Sequence, residues 1–386
     1  MQNKALVMME LIKSSILGIP LDRNSIGDLS PEDIKALYDL SKKHDLDHIV
    51  ADALTKGEFL GEDEFSKKIK NSVFRAVYRY QTINYELKQI CSVLEKSAIC
   101  YVPLKGAVIR DLYPSPWMRT SCDIDILVKE SDLDKVIDVL VNTLKYTCDN
   151  KKEFHDVSLY SKSGVHLELH FNIKENMRNI DTMLSRVWDY AYPSSENEYR
   201  YSLTNEYMMF YHTAHMSYHF VSGGCGVKPF IDLLIIKDKI GYDEKTVKEY
   251  CEVCGIDQFY DSVFSLAEVW FGDGEHNELT SMMESYVLTG GVYGTLTNKV
   301  ALGQGKKGNK FKYAMSRIFV SYDKLALHFP ILRRQKWLFP FLQIARWFKL
   351  VFKGRVKSSI QELSVNKNLP EDQLEMTKKM LKSIGL

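Results

Sequence analysis

The sequence predicts an α+β protein, a mainly helical chain with one small mixed sheet at its centre, and three observations carry this. Residues 1–95 place apolar side chains at helical spacing, with a helix start signal among them. Residues 96–192 switch to short apolar or alternating runs separated by turns, as strands do. After Tyr199 the helical spacing returns and runs to the end. The chain divides accordingly into an N-terminal helical domain (1–95), a central α/β domain (96–192) and a C-terminal helical domain (193–386). Its 386 residues exceed what one hydrophobic core usually serves.

The elements follow in order. Ser30-Pro31-Glu32-Asp33 gives an N-cap, a proline at the first helical position and acids in the first turn. Ile34, Leu37, Tyr38 and Leu40 then continue a helix to His44. Phe65–Lys96 lacks Pro and Gly and predicts one long helix or two. Ile99–Leu104 is a buried strand ending in the turn Lys105-Gly106, and Ala107–Tyr113 a short helix closed by Pro114 and Pro116. Asp123–Val128 is the next strand. Ser131 caps a helix over 132–144. Val157–Tyr160 and Val165–Ile173 form a hairpin across Ser161-Lys162-Ser163-Gly164. Later breaks are expected at 222–229, 290–294 and 303–308.

Composition narrows the class. Hydrophobic residues make up 45% and charged residues 26%, so disorder is excluded for most of the chain. The net charge of +1 provides no global field for nucleic acid. Seven irregularly spaced cysteines fit reduced thiols, and no signal peptide or long uncharged apolar run is present, so the chain is expected to be cytoplasmic.

Asp123 and Asp125 alternate with Ile124 and Ile126, so on a strand both carboxylates point one way while the isoleucines enter the core. Two carboxylates so close repel unless a cation lies between them, and a hard divalent ion, Mg²⁺ or Mn²⁺, suits oxygen ligands. On the second hairpin strand His166, Glu168 and His170 share one face, which makes Glu168 a third carboxylate if that strand lies beside Asp123–Val128. Lys105-Gly106 is a turn where backbone can approach a phosphate.

The string Leu104-Lys105-Gly106, Leu112-Tyr113-Pro114, Arg119, Asp123-Ile124-Asp125-Ile126-Leu127-Val128 resembles the nucleotidyltransferase fold superfamily. With Glu168-Leu169-His170-Phe171 it is similar to the bacterial family of uncharacterised nucleotidyltransferases. The segments His212–His219 and Lys228–Asp232 match that family more loosely. The sequence departs from the wider superfamily in having Gly106-Ala107 where Gly-Ser or Gly-Gly is common. Asp123 follows the glycine by 17 positions, a longer spacing than usual. The resemblance implies a metal-dependent transfer of a nucleoside monophosphate from an NTP to a hydroxyl acceptor of unknown identity. Asp123, Asp125 and Glu168 would be catalytic and metal-binding, the first bridging two ions. Lys105, Gly106, Arg119, His170, His215 and His219 would line the nucleotide site. The alternative is a non-catalytic descendant that binds a nucleotide or partner.

Other signals carry less. His215 and His219 are spaced for zinc on a helix, but further ligands are not evident, and cleft-lining is the simpler role. Gly303-x-Gly305-x-x-Gly308 has no preceding strand and reads as a loop rather than a dinucleotide fingerprint. Cys251 and Cys254 fall in a helical pattern as packing thiols. Residues 333–357 hold eight Lys/Arg and no acid among several Trp and Phe, with Arg346, Lys349 and Lys353 on one helical face. This stretch is either a core helix with a solvated stripe or a contact for a membrane surface or partner.

Overall fold

The computed structural model describes all residues except 1, 22–25, 153, 196, 293 and 353–355. Lys353, grouped above with Arg346 and Lys349, therefore lies outside the described residues.

Among the described residues the first helices are α1 (Gln2–Leu17), α2 (Pro31–Lys43), α3 (Asp47–Lys56) and α4 (Glu64–Lys96). The start signal of α2 closes as a capping box. Asp33 N–H donates to Ser30 Oγ at 3.2 Å, while Ser30 N–H donates back to the Asp33 carboxylate. The stretch from Glu64 to Lys96 is a single helix of 33 residues.

The central sheet contains β1 (Tyr101–Pro103), β2 (Asp123–Val128), β3 (Thr147–Lys152), β4 (Asp156–Tyr160) and β5 (His166–His170) in the order β1-β2-β5-β4-β3. Only β2 and β5 are parallel, and helix α5 (Gly106–Ile109) and then α6 (Leu133–Leu144) lie in the connections around them. Gly164, at φ +82°, turns the expected β4–β5 hairpin. Ile124, Ile126, Val128, Leu167 and Leu169 pack against Ile83 and Ile90 of α4 and Val136 and Leu140 of α6. The opposite face carries Leu127 into a larger core. That core joins N-terminal residues such as Leu11 and Ile49 to Phe210, Phe259 and Leu266 from the helices after the sheet. Both faces are thus covered, and one end of the second face remains for polar side chains.

The C-terminal part begins with α7 (Arg178–Leu184), the hairpin β6 (Ala191–Pro193) and β7 (Tyr201–Leu203), α8 (Asn205–Ser222), α9 (Lys228–Lys239), α10 (Glu244–Cys254), α11 (Asp257–Phe271) and α12 (Glu278–Gly290). Then come α13 (Leu296–Lys307), α14 (Lys310–Ile318), α15 (Tyr322–His328), α16 (Phe339–Phe352), α17 (Val356–Asn368) and α18 (Glu371–Ser383). Cys251 and Cys254 are buried and free, as packing thiols are.

Two local expectations are corrected and a third is sharpened. The segment 303–307 is helical rather than a loop; a Cβ on Gly303 would lie 2.1 Å from the Tyr313 ring, so the glycine permits close helix packing. Ser131 does not cap α6, which starts at Leu133 after a 3₁₀ turn over Glu130–Asp132. The helix after Gly106 is one α-turn continued by a 3₁₀ turn over Arg110–Leu112, too short to carry much of a macrodipole.

Candidate active site

The parallel register sets Asp125 beside Glu168 and Asp123 beside His166. Because side chains alternate along each strand, Asp123, Asp125, His166, Glu168 and His170 all emerge on one face. Candidate ligand atoms of Asp123, His166 and Glu168 lie within 4.8 Å of one another, as do those of Asp125, Glu168 and His170.

Strand β1 brings the lysine. Pro103 pairs with Ile126, and Leu104 N–H continues the ladder by donating to the Asp125 carbonyl at 3.0 Å. Lys105 then turns sharply at φ +44°, ψ −118°, a conformation costly for a residue with a Cβ. The turn places Lys105 Nζ 3.1 Å from Asp125 Oδ1, which also takes a hydrogen bond from His170 Nε2 at 2.9 Å. The positive φ therefore belongs to Lys105, whereas Gly106 is needed for space. A Cβ there would stand 3.2 Å from Arg119 Nη1 and from Ser121 Cβ.

The two aspartates, expected to repel each other unless a cation lies between them, differ. Burial alone would raise Asp125, but Lys105 and His170 outweigh it and hold the carboxyl below the ordinary carboxylate range. Asp123 makes no hydrogen bond to either among the described residues, and burial and then the charge of Asp125 push its pKa up. Glu168 is pushed up to about 7 by burial and then by Asp125.

Around the carboxylates lies a cleft of about 310 Å³, lined by Lys105, Gly106, Arg119, His212, His215 and His219 among others. Arg119 reaches it, but its guanidinium is clamped by buried Asp232, with Nε to Oδ1 at 3.2 Å and Nη2 to Oδ2 at 2.9 Å. Tyr113 donates to the same carboxylate at 2.7 Å. Lys228 bonds Asp45 and the Thr120 carbonyl. The Lys228–Asp232 segment thus fastens α9 to the loop that leads into β2.

His212 Nε2 lies 3.0 Å from the Pro229 carbonyl, in a structural role. His215 Nδ1 meets Glu175 Oε1 at 2.6 Å, and its Nε2 lies 3.0 Å from His219 Nε2. Burial pushes both histidines down, and Lys105 lowers His215 further, so they meet the cleft as neutral imidazoles. Neither belongs to the groups with metal-ligand geometry among the described residues.

Sequence reasoning missed Glu175, Asp45 and the His155 ring stacked 5.4 Å from His170. Glu175 sits in a loop between β5 and α7 with no periodicity to mark it. Asp45 follows α2 in a positive-φ turn far from the motif residues in sequence.

The donor set fits a divalent cation. Three carboxylates and two imidazoles converge, burial and then the charge of Asp125 hold Asp123 and Glu168 above their ordinary pKa, and His170 Nδ1 is buried without a hydrogen bond. Mixed oxygen and imidazole donors suit Mn²⁺ as well as Mg²⁺.

No curated protein and no solved structure matches the chain. A family model described as "Uncharacterised nucleotidyltransferase" matches residues 30–272, from the cap of α2 to the end of α11. With the whole sheet and every polar residue lining the cleft inside that span, the chain belongs to the uncharacterised nucleotidyltransferase family.

Proposed function

We propose that the cleft transfers a nucleoside monophosphate from an NTP to a hydroxyl acceptor, the acceptor oxygen bonding to the α-phosphorus as the bond to the leaving pyrophosphate breaks, with Asp123, Asp125 and Glu168 holding Mg²⁺ or Mn²⁺. The observation that carries this reading is the convergence of the three carboxylates with Lys105 in one cleft, in a chain of a nucleotidyltransferase family. A divalent ion bound there would offset triphosphate charge and favour ionisation of the attacking hydroxyl.

The chain's own groups do the rest. The ammonium of Lys105, charged at neutral pH, exchanges its contact with Asp125 for the phosphates as the nucleotide enters. Gly106 leaves room beside the backbone where a side chain would crowd Arg119. Glu168 either completes the ion's ligand set or accepts the acceptor's proton, and its place among the converging carboxylates suits both roles. Arg119, clamped by Asp232, adds a fixed positive field rather than a mobile phosphate ligand. His215 and His219 shape the opposite wall through Glu175.

One observation favours the alternative of a nucleotide- or partner-binding descendant: Lys105 already neutralises Asp125, so part of the site is satisfied without an ion. Incubation with α-labelled NTPs, Mg²⁺ or Mn²⁺ and cell extract separates the two. Labelled product from wild type but not from Asp123→Asn supports transfer. Absence of product with all four NTPs and both metals sinks it in favour of the binding module.

A further inference from the structure

Helix α16 turns two polar side chains inward and an apolar stripe outward. Its Gln343 is buried and donates Nε2 to the Val320 carbonyl at 2.6 Å, and its Arg346 donates to the carbonyls of Ile318 and Arg317 at 3.3 Å. Polar side chains thus face the protein. Phe341, Ile344 and Phe348, at the i, i+3, i+7 spacing of a single helical stripe, stand in solvent at 60%, 56% and 61% exposure. Trp337, 65% exposed, extends the stripe with its ring edge-on to Phe341, centroids 6.1 Å apart. A helix on a water-facing surface has the reverse polarity. The stripe is not a loose core face either, because Phe339 and Leu342 of the same helix already pack on Leu325, Ala326 and Leu332 beneath it. Exposed apolar rows of this kind mark interaction surfaces.

Charge identifies the occupant. Residues 324–361 contain nine Lys/Arg and no Asp or Glu. Of these, Arg333, Arg334, Lys336 and Lys349 are exposed beside the aromatic stripe. A second copy of the chain would set these cations against themselves, so the surface calls for an anionic and apolar counterpart. A helix with bulky apolar residues and flanking cations lies in the plane of a lipid head-group layer. Among the described residues no helix is long and apolar enough to cross a membrane, which leaves lying on it. The segment also falls outside the family match.

We propose that residues 331–349 seat this chain on a membrane surface rich in anionic phospholipid. Trp337, Phe341, Ile344 and Phe348 enter the boundary of the acyl region, and Arg333, Arg334 and Lys336 contact lipid phosphates. The inference does not depend on what the cleft transfers.

The test is co-sedimentation of the full chain with vesicles of phosphatidylcholine alone and of phosphatidylcholine mixed equally with phosphatidylglycerol, with Trp emission followed in parallel. Wild type should pellet with the mixed vesicles, with a blue shift, and at least about tenfold less with the neutral ones or in high salt. Phe341→Ser with Phe348→Ser, both at exposed positions, should melt like wild type yet lose about tenfold or more of the binding. Arg333→Glu with Lys336→Glu should lose the preference for anionic lipid. No pelleting of wild type on mixed vesicles would overturn the proposal and leave a protein ligand for the patch. Unchanged binding of the double serine variant would overturn it as well.

Discussion

Lys105 Nζ lies 3.1 Å from Asp125 Oδ1, occupying as an internal cation the place beside the carboxylates that a divalent ion would also seek. The pair is largely buried, and breaking such a pair leaves an uncompensated charge. Lys105→Met should therefore lower the stability of the metal-free protein by about 3 kcal/mol. Millimolar Mn²⁺ should then raise the melting temperature of the variant more than that of wild type, because the ion finds Asp125 unpaired. Identical metal increments in the two proteins would show that Lys105 and the ion do not compete.

Arg119 and Asp232 form a second buried pair, and here the fork geometry matters. Asp232→Asn should cost about 3 kcal/mol by urea denaturation, and Arg119→Lys a similar amount through loss of the two-point contact. The double replacement Arg119→Met with Asp232→Leu should recover much of that loss, since neither charge is then stranded. A double variant as unstable as the sum of the singles would count against a simple pair.

Much of the candidate site was legible because strands impose a period of two. Asp123, Asp125, Glu168 and His170 could be placed on common faces from the alternation alone, and the parallel β2–β5 register then set Asp125 beside Glu168. What could not be read is which partner answers each charge. Nothing in the sequence near Asp125 announces that Lys105, twenty positions earlier, would reach it; the β1–β2 ladder and a positive-φ turn do that. The hold of Asp232 on Arg119 spans 113 positions and exists only once α9 packs against the loop before β2. Strands β3, β6 and β7 went unseen because Thr147–Lys152 is largely polar and the last two are three residues each. Gly303 misled in the opposite direction, since local propensity gave way to packing against Tyr313.

Glu168 gives a pH dependence with a definite sign. Its folded-state pKa, near 7, lies above the ordinary 4.5, so the unfolded chain releases its proton first as pH rises. Its contribution to metal-free stability is therefore lost between about pH 4.5 and 7 and stays lost above that range. Glu168→Gln should gain on wild type by on the order of 2 kcal/mol at pH 8 relative to pH 5, read from denaturation midpoints. Parallel pH curves would remove the carboxyl from this environment.

His44 works the other way. Burial holds its pKa down to about 4, so the unfolded chain takes up a proton near 6.5 while the folded one refuses it. Stability is full above pH 6.5 and is lost as pH falls toward 4, by about 2–3 kcal/mol from this group. His44→Gln should flatten the acid limb of the stability curve without altering it above pH 7. An acid limb of unchanged slope would assign the effect to the other buried histidines, His48 and His212.

The most direct test of the cleft as an ion-dependent nucleotide site uses Asp123 rather than Asp125, because Asp125 is already paired with Lys105 while Asp123 makes no ion pair among the described residues. Wild type and Asp123→Asn are melted alone, with Mg²⁺ or Mn²⁺, with NTP, and with both. Ligands that bind the folded state raise its melting temperature by mass action. Wild type should rise most with ion and NTP together. Asp123→Asn should melt at or above wild type when no ligand is present, and should show no joint rise. A wild type that ignores ion and nucleotide, or a variant that responds as wild type does, would contradict the assignment.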